Sequence, residues 1–286
     1  MYYWGKLIKK KRIVFSLFVI CLFSFQTNST AFYIAKNTQR DTTLSLQYKS
    51  FEVKVLIRFP QKSSGKTLML LHGYNLPYTQ WCEKTSLCKL ALDSGYTLII
   101  PELGKTTYHY KIYKETIAKY RLCPTRKWML DTLIPHLQKE LKLLIPGQKN
   151  YLAGISTGAR GAALLANDLP EIFKATACLS GDFDQTKLPW DQIYNGYYGS
   201  YKTNTQRWKT DDNIQAMAGI WQVPVFLAHG KKDKICPYTQ TVSFYNRLKE
   251  LGKSSLVQLS VMPEGMHDYQ FWESQTLPVL KFFNRY

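Results

Sequence analysis

The pentapeptide Gly154-Ile155-Ser156-Thr157-Gly158 sets a serine between two glycines. An apolar run, Tyr151 to Ile155, precedes it, and an Ala/Leu-rich helical pattern, Ala159 to Asn167, follows. Strand, sharp turn and helix is the setting of a nucleophile elbow, in which a strained backbone projects the serine hydroxyl from the edge of a sheet. Side chains two residues before and after the serine would collide there, which accounts for the glycines. A glycine-rich turn with no chemistry can show the same five residues, so the remainder of the chain must decide between the two readings.

A serine hydroxyl is a weak nucleophile at neutral pH and needs a base within hydrogen-bond reach. Of the five histidines, His109 and His136 fall in a loop and a helix, while His72 and His229 each precede a glycine and read as turn-shaping residues. His267 follows the final strand pattern, and the chain order serine, acid, histidine is the one used with such elbows. The acid must hold the imidazole in the right tautomer and stabilise the imidazolium. Asp233, in Gly230-Lys231-Lys232-Asp233 after the strand pattern 223–228, fits best. Asp182 is the alternative, and Asp184 and Asp268 are weaker candidates. Acyl transfer also requires two backbone N–H groups aimed at the developing oxyanion. Position nominates Thr157, beside the serine, and Tyr74, in the turn His72-Gly73-Tyr74 after the apolar run 67–71.

These residues must be positioned by something, and the pattern is that of alternating strands and helices. Phe51–Phe59 alternates apolar and polar residues as a half-buried strand does, within an alternating stretch 42–60. The runs at 67–71, 96–100, 151–155, 175–180, 223–228 and 256–261 are short and apolar, the pattern of strands covered on both faces. Helical patterns lie at 78–93, 128–144, 159–167, 239–251 and 271–283. The expected fold is a mostly parallel, doubly wound α/β sheet, with the chemistry at the carboxyl ends of its strands. His72, Ser156, Asp182, Asp233 and His267 all follow strand patterns directly. Residues 102–124 and 181–221 are irregular and tyrosine-rich, and Tyr113 and Tyr197 within them are the candidates for a substrate cleft. Aromatic packing over the core is the plainer reading of both segments.

The first 31 residues read as a leader. Lys6, Lys9, Lys10, Lys11 and Arg12 precede an apolar stretch 13–25, and Ser29-Thr30-Ala31 resembles a cleavage site after Ala31. Thirteen apolar residues are too few for a bilayer span, which takes about 20. Lipidation at Cys21 is rejected, because Phe18-Val19-Ile20 lacks the small residue such a site carries. The expectation is an exported, periplasmic or secreted protein with one domain over residues 32–286. The formal net charge is +18, and the leader holds five of the basic residues and no acid. The remaining lysines are scattered, with no nucleic-acid motif, and suggest attraction to anionic surfaces or solubility. Five cysteines follow the leader: Cys82, Cys88, Cys123, Cys178 and Cys236. Pairing among the first three suits an oxidising compartment, with the partners left open, and Cys178 reads as a buried hydrophobe. No cysteine or histidine spacing suggests a metal, and no cofactor is expected.

Leu70-Leu71-His72-Gly73, the serine elbow backed by Gly161-Ala162-Ala163, His229-Gly230 with Asp233, and Gly265-Met266-His267-Asp268-Tyr269 together resemble the α/β-hydrolase fold. Within it the chain is similar to the esterase family of esterase D (S-formylglutathione hydrolase), feruloyl esterases and mycolyltransferases. Tyr198-Gly199, Trp208-Lys209 and Asp211 are similar to the family's excursion, and His267 with Trp272 to its terminal signature. Thr157 and Ala159 depart from it, standing where Met and Gly are usual. The resemblance covers residues 50–286 and implies a serine hydrolase acting on small-molecule or cell-surface carboxylic esters through an acyl-enzyme. A peptidase or acyltransferase of the same fold, and an inactive binding protein on the same scaffold, are the alternatives. Peptidases of this fold often carry a further domain, of which the pattern shows no trace.

Overall fold

A computed structural model of the protein describes residues 34–36 and 41–286. The expected leader and Cys21 lie outside the described residues. The strands are β1 (Ile34–Lys36), β2 (Asp41–Tyr48), β3 (Phe51–Arg58), β4 (Lys66–Leu71), β5 (Tyr96–Pro101), β6 (Asn150–Ile155), β7 (Phe173–Leu179), β8 (Val225–Gly230) and β9 (Val257–Met262). They form one sheet in the order β1-β2-β3-β5-β4-β6-β7-β8-β9. From β5 to β9 every pairing is parallel, while β1, β2 and β3 join antiparallel at one edge. The alternating stretch read near residues 42–60 is therefore a hairpin, turning at Lys49, whose φ is 54°.

The helices are α1 (Gln80–Lys84), α2 (Leu87–Asp93), α3 (Thr125–Trp128), α4 (Ile134–Leu141), α5 (Thr157–Asp168), α6 (Gln192–Tyr198), α7 (Tyr201–Thr210), α8 (Ile214–Met217), α9 (Thr239–Glu250), α10 (Tyr269–Ser274) and α11 (Thr276–Phe283). A π-helical turn, Met129–Leu133, joins α3 to α4. The segment expected as one helix from Tyr78 to Asp93 is broken at Thr85-Ser86, and a disulfide between Cys82 and Cys88 bridges the break. Cys123, Cys178 and Cys236 are free and buried.

Two apolar layers flank the sheet, as the two-residue period of its strands requires. Met69 and Leu71 of β4, Leu152 of β6 and Leu227 of β8 face α5 and α9. Leu68 and Leu70, Tyr151 and Ala153, and Phe226 and Ala228 face α2 and α11. The doubly wound arrangement expected from the strand runs is thus what the chain adopts. A third, aromatic cluster joins Tyr194, Tyr197, Tyr198 and Trp208, in the excursion after β7, to Tyr120 from the segment after β5. Among the described residues no helix is long and apolar enough to cross a membrane.

Candidate active site

The register of the parallel strands brings their carboxyl ends to one edge. Leu71 pairs with Gly154, Ile155 with Leu179, Leu179 with Ala228, and Gly230 with Met262. Side chains placed just beyond these residues therefore converge, whatever their distance along the chain.

Ser156 leaves β6 in a strained conformation, φ 56° and ψ −127°, and α5 starts at the next residue. The turn is as tight as the two glycines predict. A Cβ on Gly154 would lie 1.9 Å from the Gly158 oxygen, and one on Gly158 would lie 2.1 Å from the Leu71 oxygen. The first is a contact inside the elbow itself. The second lets the start of α5 close on the end of β4, so the serine and the turn after β4 become neighbours.

The Ser156 hydroxyl lies 2.9 Å from His267 Nε2, and His267 Nδ1 lies 2.6 Å from Asp233 Oδ2. A carboxylate can only accept, so Nδ1 carries the proton and Nε2 presents its lone pair to the serine. Trp272, on α10, packs edge-to-face with the imidazole, with centroids 5.3 Å apart, and donates its indole N–H to Ser180 Oγ at 3.1 Å. The imidazole is thus held by packing as well as by its two hydrogen bonds.

Asp233 is held from every side. Its Oδ1 accepts the backbone N–H groups of Ile235 at 2.9 Å and Cys236 at 2.8 Å. Its Oδ2 accepts from His267 and also from His229 Nε2 at 3.1 Å. Burial alone would raise this carboxyl, but the hydrogen bonds from His229 and His267 and the electrostatic pull of the His267 ring outweigh it. The acid therefore stays well below the usual carboxylate range.

His229 is a residue that sequence reasoning set aside as a turn former. Its ring is fully buried at the end of β8, where Nδ1 meets Thr241 Oγ1 at 2.7 Å and Nε2 also reaches the Cys236 carbonyl at 2.9 Å. The four-residue spacing to Asp233 was visible, but only the curl of the chain after β8 turns the ring onto the carboxylate.

The other aspartates are engaged elsewhere. Asp182 accepts from Arg160 Nη1 at 3.3 Å, and burial pushes its carboxyl up against the pull of that guanidinium. Asp184 accepts from the Thr186 N–H and hydroxyl, and Asp268 accepts the Phe271 N–H at the start of α10. His72 does shape its turn. Its Nδ1–H donates to the Gly73 carbonyl at 2.7 Å, and Nε2 accepts from the Leu103 N–H at 2.9 Å. Burial holds its pKa down, so the ring is a neutral brace for the loop carrying Tyr74.

A cleft of about 410 Å³ opens over Ser156 and His267. Tyr74 and Thr157 both line it. The Thr157 N–H, first in its helix, has no intrahelical acceptor. In the Tyr74 turn, the neighbouring N–H groups of Asn75 and Leu76 make the turn bonds, to Gly104 and Gly73.

Tyr113 and Tyr197 do not line this cleft, which corrects their selection from sequence. Tyr197 is buried, stacked on Tyr120 at 4.3 Å, and its hydroxyl donates to the Lys105 carbonyl at 2.5 Å. Tyr113 donates to Asp211 at 2.5 Å beneath the Arg207 guanidinium. Residues 192–198 are helical, so only part of that tyrosine-rich stretch can face the serine. The tyrosines that do line the cleft are Tyr74, Tyr194 and Tyr269.

The sequence profile of the prolyl oligopeptidase family matches residues 134–286, the part that carries Ser156, Asp233 and His267. No curated protein sequence matches the chain. Among solved structures, fluorophosphonate-binding serine hydrolase F of Staphylococcus aureus is 19% identical, with 89% of this chain and 99% of that one covered and a TM-score of 0.67. An S-formylglutathione hydrolase from Agrobacterium tumefaciens is 16% identical, with 88% and 98% covered and a TM-score of 0.70. An acylaminoacyl peptidase from Pyrococcus horikoshii is 16% identical, with 87% of this chain and 42% of that one covered and a TM-score of 0.66. The fold is accordingly that of the α/β-hydrolases.

Proposed function

The chain belongs to the prolyl oligopeptidase family, and from that premise we propose that it is an exported serine hydrolase that cleaves carboxylic esters through an acyl-enzyme. The observation that carries this reading is the unbroken hydrogen-bonded row from Ser156 through His267 to Asp233 at the floor of the cleft. In this reading Ser156 Oγ attacks the ester carbonyl while its proton passes to His267 Nε2. Asp233 holds the imidazole in the Nδ1–H tautomer and stabilises the imidazolium. The N–H groups of Thr157 and Tyr74 receive the oxyanion. His267 then returns its proton to the departing alcohol, and a water activated by the same imidazole releases the acid.

The cleft walls support a substrate with an apolar or aromatic acyl or alcohol part, since Leu76, Leu188, Ile193, Ile235 and Trp272 surround the serine. Export is supported by the basic and apolar leader pattern and by the Cys82–Cys88 disulfide, which suits an oxidising compartment. Recovery of the processed chain beginning after Ala31 outside the cytoplasm is the expected outcome, and an intact cytoplasmic chain would refute it.

The Ser156→Ala variant should lose both p-nitrophenyl acetate turnover and fluorophosphonate labelling. Survival of either in the folded variant would mean a different nucleophile. Peptide hydrolysis is the second reading, favoured by the family profile itself. Esters and amides of one acyl group separate the two. The ester reading requires the amide to be turned over far more slowly than its leaving group alone explains.

A further inference from the structure

Asp233 Oδ2 is shared by two imidazoles, and only one of them reaches the serine. We propose that His229 is a positioning residue for the reaction, held in its Nε2–H tautomer by Thr241, and that it fixes the Asp233 carboxylate toward His267. The inference rests on the assignment of Ser156, His267 and Asp233 made above.

The tautomer follows from the partners. His229 Nε2 faces two acceptors, Asp233 Oδ2 and the Cys236 carbonyl, so it must carry hydrogen. Nδ1 is then free to accept the Thr241 hydroxyl at 2.7 Å. Thr241 is wholly buried on α9, and His229 is wholly buried on β8, so neither can exchange these partners for bulk water. The row thus extends from Thr241 through His229 and Asp233 to His267 and Ser156.

The effect on Asp233 is geometric. A carboxylate bonded at one oxygen can swing about its Cβ–Cγ bond, whereas here four N–H groups meet two oxygens. Those from Ile235 and Cys236 hold Oδ1, and His229 shares Oδ2 with His267. Turning the carboxylate away from His267 would break bonds to three other groups. His229 also draws charge from Oδ2, which tempers the pull of Asp233 on the His267 proton. The titratable groups facing this unit are His267, the Cys236 thiol, and Asp182 and Asp191, which act on that thiol through space.

His229→Leu removes the donor and keeps bulk, His229→Gln keeps a donor, and Thr241→Val removes the tautomer lock without touching Asp233. Each is assayed for kcat and KM on a p-nitrophenyl ester from pH 5 to 9, with thermal unfolding followed in parallel. Loss of one hydrogen bond to a charged group corresponds to about 10- to 100-fold in rate. His229→Leu should lose that in kcat with KM nearly unchanged, and its acidic limb should move to higher pH, because an unshared Asp233 oxygen favours the His267 imidazolium. His229→Gln should recover most of the loss, and Thr241→Val should show a smaller loss of the same kind.

A purely structural role would lower the melting temperature and leave the pH limb in place, and that result overturns the proposal. So does a His229→Gln as defective as His229→Leu. Should His229→Leu not fold, Thr241→Val with wild-type kcat and pH limb is enough to refute it. If instead Ser156→Ala or His267→Ala retains full turnover, the assignment beneath it is what fails.

Discussion

The floor of the cleft and the aromatic wall packed beside it, built by the segments after β5 and β7, are put together differently. On the floor and beneath it, Ser156, His267, Asp233 and His229 meet each other, Thr241 or a backbone group along the row. In the wall, stacked rings and buried charges do the holding. Tyr120 lies flat on Tyr197, His109 packs tilted against Tyr197 with centroids 4.4 Å apart, and neither His109 nitrogen has a hydrogen-bond partner among the described residues. Arg160, fully buried on α5, ties this wall down through Asp182, Gln185, Tyr198 and the Asp212 carbonyl. The contrast separates direction from mass. Hydrogen bonds in the row fix the angle at which a proton moves, whereas the packed rings shape the space beside it.

The largest effect that would test this division comes from the floor. Asp233→Asn should lower kcat by about 10⁴-fold, as expected for loss of the acid that sets the imidazole tautomer, with little change in melting temperature. A mild effect there, and a severe one at Asp182, would reverse the roles given to the two strand ends. In the wall, Arg160→Met leaves Asp182 buried without its cation and should cost roughly 3–5 kcal/mol of stability in a urea titration. Fluorophosphonate labelling of the molecules that remain folded should persist, since no bond of the Ser156 row is touched. A folded Arg160→Met protein as inactive as Asp233→Asn would erase the distinction between floor and wall.

The smallest of these effects sharpens the comparison through pH. Burial holds the His109 pKa at about 4, with Asp212 pulling it back and Arg160 adding to the fall. A folded-state pKa below the unfolded one gives stability that is present above about pH 6.5 and lost as pH falls toward 4, because only the unfolded chain takes up the proton. At pH 5 the loss amounts to about 2 kcal/mol. His109→Phe should be spared it, and its melting temperature should drop less between pH 7 and pH 5 than that of the wild type. Equal pH dependence in both proteins would show that the buried ring is not what titrates.

Much of the floor could be read from the chain alone, for local reasons. Gly154 and Gly158 are there because a backbone atom occupies the space of each missing side chain, and that requirement is written within five residues. The meeting of Ser156, Asp233 and His267 follows from strands that run parallel, so residues after their carboxyl ends gather at one edge. His229 escaped because a histidine before glycine looks the same whether its ring faces solvent or a carboxylate. Tyr113 and Tyr197 were misplaced because composition identifies an aromatic segment without saying which way a helix or loop turns it. The break between α1 and α2 was hidden for a related reason: Thr85-Ser86 interrupts an apolar period too briefly to register.

The backbone of Ser156 carries a consequence for how such a protein changes over time. Its dihedral pair, φ 56° and ψ −127°, lies where only glycine rests without penalty, and holding another residue there costs on the order of 1–3 kcal/mol. A Ser156→Gly exchange would relieve that tension while deleting the proposed nucleophile. In a lineage released from selection for turnover, drift toward a sturdier but silent descendant would run downhill from this one codon.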